Sequence, residues 1–199
     1  MAVTSPPTPA VFNVPNQVTT ARLLLSVVLF VFLGLGYYLT SFVLFVVAAS
    51  TDWVDGYYAR RYGQVTQLGR ILDPFADKLI VCGTFIFLVA APHSEVRAWM
   101  VVVIVGREIL VTALRSFLED RGADFSASMS GKLKMVIQCI AIGFSLFRLS
   151  YLNEAGTAFD PQPPAWMTTG LIIAVWAAVI STVYSGIGYI FAAIRLLRG

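Results

Sequence analysis

Charge is scarce in this chain. Asp, Glu, Lys and Arg make up 13% of its 199 residues, against about 25% in a typical soluble domain. With 58% hydrophobic residues, that scarcity excludes an ordinary water-soluble globule. Histidine is almost absent. His93 lies in the short Pro92–His93–Ser94–Glu95 connection, where it reads as a solvated loop residue with no catalytic role. The two cysteines, Cys82 and Cys139, sit inside apolar runs. They read as small core residues, which leaves no disulfide framework or thiolate metal site. The first fifteen residues lack Lys and Arg and carry Pro6, Pro7, Pro9 and Pro15. Residues 1–15 therefore read as a flexible or surface-lying N-terminal arm, not as a signal peptide. No two glycines have the GxxxG spacing, so no helix-dimerisation face is legible. No repeat of solenoid length is visible either.

What the chain has instead is apolar length. The runs Leu23–Ala49, Leu79–Ala91, Ala98–Val105, Val136–Phe147 and Leu171–Ile194 carry few or no charges. A bilayer crossing takes roughly 20 mostly apolar residues. The total suits six spans if the first run divides near Gly34, Gly36, Thr40 and Ser41. The expectation is an all-α integral membrane protein in one domain over residues 16–199. Its six transmembrane helices fall at about 17–38, 40–60, 73–91, 97–119, 129–151 and 166–197. Six spans put both termini on one side. That side claims Arg22, Arg60, Arg61, Arg70, Lys78, Arg121, Lys132, Lys134, Arg195 and Arg198, whereas the other holds only Arg97 and Arg148. The excess of positive charge makes the termini cytoplasmic, in a multi-pass protein of the cell's inner (cytoplasmic) membrane.

Four acids stand out against this background. Asp52 and Asp55 are followed by Gly56, Ala59 and Arg60, and then by Gly69, Asp73 and Asp77. Positions 52, 55, 56 and 59 share one helix face, as do 73 and 77 on the next helix. The short connection makes the two helices antiparallel neighbours, so the four carboxylates can converge at the cytoplasmic ends. Carboxylates at membrane depth are costly and usually mark functional sites. Crowded carboxylates need cations, and hard oxygen donors select Mg²⁺, Mn²⁺ or Ca²⁺. Two such ions would balance four acids and suit displacement at phosphorus. Ion pairing with Arg60, Arg61, Arg70 and Lys78 at the headgroup boundary is the alternative. Gly56, Ala59 and Gly69 favour a ligand site, since they leave room for a ligand to approach the backbone.

The string D-x2-D-G-x2-A-R-x8-G-x3-D-x3-D, matched here at every fixed position over residues 52–77, is the signature of the CDP-alcohol phosphatidyltransferases. The chain resembles that family over nearly its whole length. The resemblance implies two divalent cations, Mg²⁺ or Mn²⁺, held by Asp52, Asp55, Asp73 and Asp77, with Asp77 also the general base. It implies a CDP site lined by Gly56, Ala59, Arg60 and Gly69, with Arg60 near the diphosphate, and it implies a homodimer. Asn16 and Thr19 could cap the first helix or touch the nucleotide.

Basic residues outside the signature bear on the acceptor. Arg107 lies midway along the fourth helix beside Glu108, with Arg115 two turns on, and Lys132 and Lys134 open the fifth. Cations at such depth call for an anion, and arginine suits bidentate phosphate contact. An alcohol already carrying a phosphate answers that need. The alternative is that Arg107 pairs with Glu108 and that the lysines form a headgroup belt. The stretches Pro15–Arg22, Gly106–Arg115, Ser126–Ser128 and Gly131–Lys134 resemble the phosphatidylglycerophosphate synthase branch. That resemblance implies CDP-diacylglycerol as donor and sn-glycerol 3-phosphate as acceptor. Competing expectations are a cardiolipin synthase or inositol-phosphate transferase of the same family and, in another class, a cation transporter using the aspartates. No nucleic-acid partner is expected.

Overall fold

The computed structural model describes residues 14–62, 67–119, 129–152, 158 and 160–198. The side chains of 14–16, 18, 51–62, 67–71, 73, 119, 130, 197 and 198 lie outside that description. Six helices follow one another: α1 (Val14–Gly34), α2 (Tyr38–Tyr62), α3 (Gln67–Ala90), α4 (Ala98–Glu119), α5 (Met129–Leu149) and α6 (Ala165–Arg198). No strand occurs among the described residues. The expected elements are all present, and the main difference is the start of α3. The sequence reading starts it at about residue 73, after a connection over 60–73. The helix instead begins at Gln67 and carries Pro74 inside it, forgoing one backbone hydrogen bond there.

The division of the first apolar run rests on glycine. Gly36 has φ +79°, a left-handed conformation that costs an L-residue strain. The Tyr37 amide donates to the Phe32 carbonyl at 2.9 Å and the Gly36 amide to Leu33 at 3.1 Å, the paired bonds of a Schellman cap. The rings of Phe32 and Tyr37 meet edge to face at 5.9 Å between centroids, which supplies the apolar contact this motif usually carries.

Successive helices alternate in direction. The first residues of α1 and the last of α6 therefore share one end of the bundle, called here the terminal end. α3 sits centrally, against α1, α2, α4 and α5, while α6 packs on α4 and α5. The contact of α1 and α3 is close. A methyl group on Gly83 would lie 2.2 Å from the Phe30 ring, so the ring would have to shift to admit one. Two apolar clusters result. The larger fills the half away from the termini with Leu29, Phe45, Phe85, Leu88, Ile104, Ile142, Leu146 and Leu171. The smaller joins α4 to α6 through Val111, Leu118, Tyr189 and Ala193. Buried Lys134, Gln138, Thr182 and Ser185 lie between them.

The outside is apolar. Val31, Val47, Ile86, Val102, Ile109, Val136, Ile140, Ile173, Ile180 and Phe191 are all exposed, while Arg22, Lys134, Gln138, Arg148, Thr182 and Ser185 are buried. Polar groups inside and apolar groups outside are the pattern of a surface that faces lipid. Among the described residues, α6 over Ala165–Leu196 is long and apolar enough to cross a bilayer, while Thr19–Gly34 and Tyr38–Ser50 are shorter apolar stretches. Charges interrupt the others: Asp77 and Lys78 on α3, Arg107, Glu108 and Arg115 on α4, and Lys132, Lys134 and Arg148 on α5. The coarse reading is a helical membrane protein.

A candidate site at the terminal end of the bundle

Asp52 and Asp55 fall in the second half of α2, Asp73 and Asp77 in the first half of α3. The antiparallel run of these helices brings all four positions to the terminal end. The side chains of Asp52, Asp55, Arg60 and Asp73, and the surroundings of Gly56, Ala59 and Gly69, lie outside the described residues, as does the side chain of Asn16. Asp77 is described. Its Oδ1 accepts from Arg22 Nη1 at 2.7 Å, with Arg22 4% exposed and Asp77 25%. A guanidinium taken so far out of water needs a full negative charge beside it, so this contact fits Asp77 as a carboxylate. Thr19 is buried one turn before Arg22, and the two share a face of α1. α1 is already helical at Val14, so Thr19 sits too far along to cap it.

A half-open cleft lies between α3, α4 and α5, lined by Asp77, Lys78, Val81, Cys82, Glu108, Lys134, Met135 and Gln138. Asp77 forms one wall. Opposite it, Glu108 of α4 accepts from Lys134 Nζ of α5 and from Arg107 Nη1 at 3.1 Å. Deeper in, Gln138 Nε2 donates to Thr182 Oγ1 at 2.9 Å, which ties α5 to α6.

Arg107 turns from Glu108 toward α6. Its Nη2 donates to Ser185 Oγ at 2.6 Å, its Cζ lies 5.2 Å from the centroid of the Tyr189 ring, and its Cγ passes over Gly186. Arg115 Nη2 donates to the Tyr189 hydroxyl at 3.4 Å. Among the described residues four buried arginine Nε groups have no hydrogen-bond partner, and those of Arg107 and Arg115 are two of them. Buried N–H groups left unsatisfied are uncommon and costly, and an anion between Arg107 and Arg115 would satisfy those two.

Of the four expected acceptor cations, Arg107 and Lys134 meet around Glu108, and Arg115 joins them through Tyr189. Lys132 is exposed. Two residues from Lys134 on a helix is about 200° of rotation, so it points away from the cluster. Glu108, Arg22, Ser185 and Tyr189 have no site role in the sequence reading. Ser185 and Tyr189 do leave a signal, a polar pair one turn apart within the run of hydroxyl-bearing residues from Ser181 to Tyr189 on a mainly apolar helix. Arg22 is only counted among the charges of its membrane side, and nothing short of tertiary structure joins it to Asp77.

The chemistry available is therefore a carboxylate at one wall of a cleft and a cation cluster at the other, beside two helices carrying further aspartates. A family model described as CDP-alcohol phosphatidyltransferase matches residues 12–184. Three bacterial relatives share the name CDP-diacylglycerol--glycerol-3-phosphate 3-phosphatidyltransferase. That of Bacillus subtilis is 36% identical over 193 residues, covering 89% of this chain and 93% of its own. That of Escherichia coli K12 is 31% identical over 191 residues, covering 92% and 95%. That of Haemophilus influenzae is 31% identical over 188 residues, covering 90% and 92%.

Proposed function

The chain belongs to the CDP-alcohol phosphatidyltransferase family, and from the activity its relatives are named for we infer that it transfers the phosphatidyl group of CDP-diacylglycerol to sn-glycerol 3-phosphate, giving phosphatidylglycerophosphate and CMP. The observation that carries the acceptor assignment is the cleft with Asp77 on one wall and Glu108 and Lys134 on the other, with Arg107 bonded to Glu108 behind that wall. A small alcohol with a phosphate at one end and hydroxyls at the other fits between them. Its phosphate lies toward Arg107, Arg115 and Lys134, and its hydroxyl toward Asp77.

In the reaction, the acceptor hydroxyl oxygen attacks the phosphorus that carries diacylglycerol, and its proton passes to Asp77. The bond from that phosphorus to the oxygen of the CMP phosphate breaks, and CMP leaves with the electron pair. Asp77 acts mainly by being held next to the hydroxyl. Arg22 keeps its carboxylate oriented. Gly56, Ala59, Arg60 and Gly69, with Asn16 and Thr19 on α1, form the nucleotide side of the site.

Four aspartates fit a pair of divalent cations. Their oxygens are hard donors, the set suited to Mg²⁺ or Mn²⁺, and the pairing of Asp77 with the buried Arg22 fits the ionised form that a metal ligand needs. Asp52, Asp55, Asp73 and Asp77 would hold the ions, which when bound neutralise the diphosphate oxygens and the departing CMP.

The finer topology belongs to this proposal: six spans, both termini and the site cytoplasmic, in the inner membrane, as a homodimer. Exposed apolar residues on all six helices support the spans. The test of the activity is CMP release from CDP-diacylglycerol with glycerol 3-phosphate, phosphatidylglycerol, inositol phosphate or serine as acceptor. Release with glycerol 3-phosphate is expected. Release with phosphatidylglycerol alone overturns the acceptor and leaves the family.

A further inference from the structure

We infer that Tyr189 on α6, supported by Ser185, is a positioning residue that sets the spacing of the two arginines facing the acceptor phosphate, so that the final helix helps to determine which alcohol is used. This rests on the reading of Arg107 and Arg115 as phosphate ligands and extends it to a helix outside the family signature and outside the cleft lining.

Arg107 and Arg115 are eight residues apart on α4, about 12 Å along its axis at 1.5 Å per residue. Long flexible side chains so separated have no fixed relation of their own. One tyrosine supplies it. Its ring face carries the Arg107 guanidinium at 5.2 Å and its hydroxyl receives Arg115 Nη2 at 3.4 Å. Tyr189 is 4% exposed and packs with Val111 and Leu118 of α4, so the ring is itself fixed to the helix that bears both arginines. Ser185, one turn earlier, accepts from Arg107 Nη2 at 2.6 Å. Gly186 keeps the path of Arg107 open, since a methyl group there would lie 3.2 Å from Arg107 Cγ. Of the nitrogens of Arg107, one is held by Glu108 and one by Ser185, which leaves the buried Nε for the anion. A guanidinium held over an aromatic face keeps its charge and its planar donor fork. The contact therefore orients Arg107 without neutralising it, as a second carboxylate would.

The test uses the full-length protein in phospholipid nanodiscs, with KM measured separately for glycerol 3-phosphate and CDP-diacylglycerol. Tyr189→Leu, which loses ring and hydroxyl, is expected to raise KM for glycerol 3-phosphate on the order of tenfold. KM for CDP-diacylglycerol and kcat should stay within about twofold of the parent. Tyr189→Phe, which keeps the ring, should restore most of the acceptor affinity. Ser185→Ala, a smaller change less able to disturb folding, should raise the acceptor KM about threefold. Arg107→Ala is measured alongside. If it raises the acceptor KM while Tyr189→Leu and Ser185→Ala do not, the α6 inference is overturned and the phosphate reading stands. If Tyr189→Leu raises both KM values equally, Tyr189 serves only the fold and the inference is overturned. If Arg107→Ala leaves the acceptor KM unchanged, the phosphate reading fails and the inference fails with it.

Discussion

The two ends of the bundle use buried polar groups differently. At the end away from the termini these groups hold backbone. Ser94 Oγ donates to the Leu88 carbonyl at 2.6 Å, Ser145 Oγ to the Ser94 carbonyl at 3.2 Å, and Ser41 Oγ to the Tyr37 carbonyl at 2.9 Å. Arg148, 6% exposed, donates to the His93 carbonyl. Each bond fastens a side chain to the backbone of a turn or helix end. At the terminal end the bonds run from side chain to side chain: Arg22 to Asp77, Arg107 and Lys134 to Glu108, Arg107 to Ser185, Arg115 to Tyr189. A backbone carbonyl has a fixed place in the fold, whereas a side-chain partner can be exchanged for a ligand. The first end is built to stay closed, and the second to take up something charged.

The largest expected effect strikes the terminal end alone. Asp77→Asn should lower CMP release by about 10²-fold or more, the usual contribution of a positioned general base. Its thermal unfolding temperature in nanodiscs should also fall, since a neutral asparagine removes the counter-charge facing the buried Arg22, so turnover is compared well below unfolding. Near-normal turnover with metal still bound would take the base role away from Asp77. Next in size is a crossed pair of cation deletions. Lys134→Ala should raise KM for glycerol 3-phosphate about tenfold or more, the weight of a charge-assisted hydrogen bond. Arg148→Ala should leave both KM values unchanged and destabilise the protein by about 2–3 kcal/mol, the cost of a buried carbonyl left without its donor. An Arg148→Ala protein of normal stability but altered acceptor KM would erase the distinction between the ends.

That distinction explains how much was legible in the sequence. The helices were readable because apolar length and turn residues report on local chain chemistry. Gly36 marked the first turn, and the Pro92–Glu95 segment marked the third connection. The start of α3 was read late, because the polar residues before Asp73 resemble a connection whereas the helix runs from Gln67 through them and through Pro74. The aspartate signature was readable because its spacing is a helical period repeated on two adjacent helices. Arg107 and Lys134 were noticed as cations too deep for an apolar surface. What stayed hidden are the partners chosen only by packing. Glu108 stood next to Arg107 in sequence, but its link to Lys134, 26 positions on, needs α4 and α5 brought to face each other across the cleft. Arg22 and Asp77 are 55 positions apart, and Arg107 and Ser185 are 78 apart. No local pattern encodes such pairs. Lys132 shows the reverse, since closeness in sequence to Lys134 put it in the acceptor set although the helix turns it outward.

The smallest effects test the comparison through two glycines, and here the expected signs differ. Gly36 closes α1 with φ +79°, and a methyl group built on it meets nothing within 4 Å. Replacing it with alanine therefore adds no clash, and the cost is conformational alone, about 1–2 kcal/mol for an L-residue forced into the left-handed region. Gly188 lies within α6 at the terminal end, and its added methyl group also meets nothing within 4 Å. There alanine is the better helix former and restricts the unfolded chain, so Gly188→Ala should be neutral or stabilising by up to about 1 kcal/mol. Both variants should keep parental KM values, and thermal unfolding in the same nanodiscs reads the difference. If Gly36→Ala costs nothing, the turn can close by another geometry, and the far end is less fixed than its backbone-directed hydrogen bonds imply. If Gly188→Ala destabilises, α6 needs a glycine there for close approach to a neighbour outside the chain, as a second copy of the protein would make.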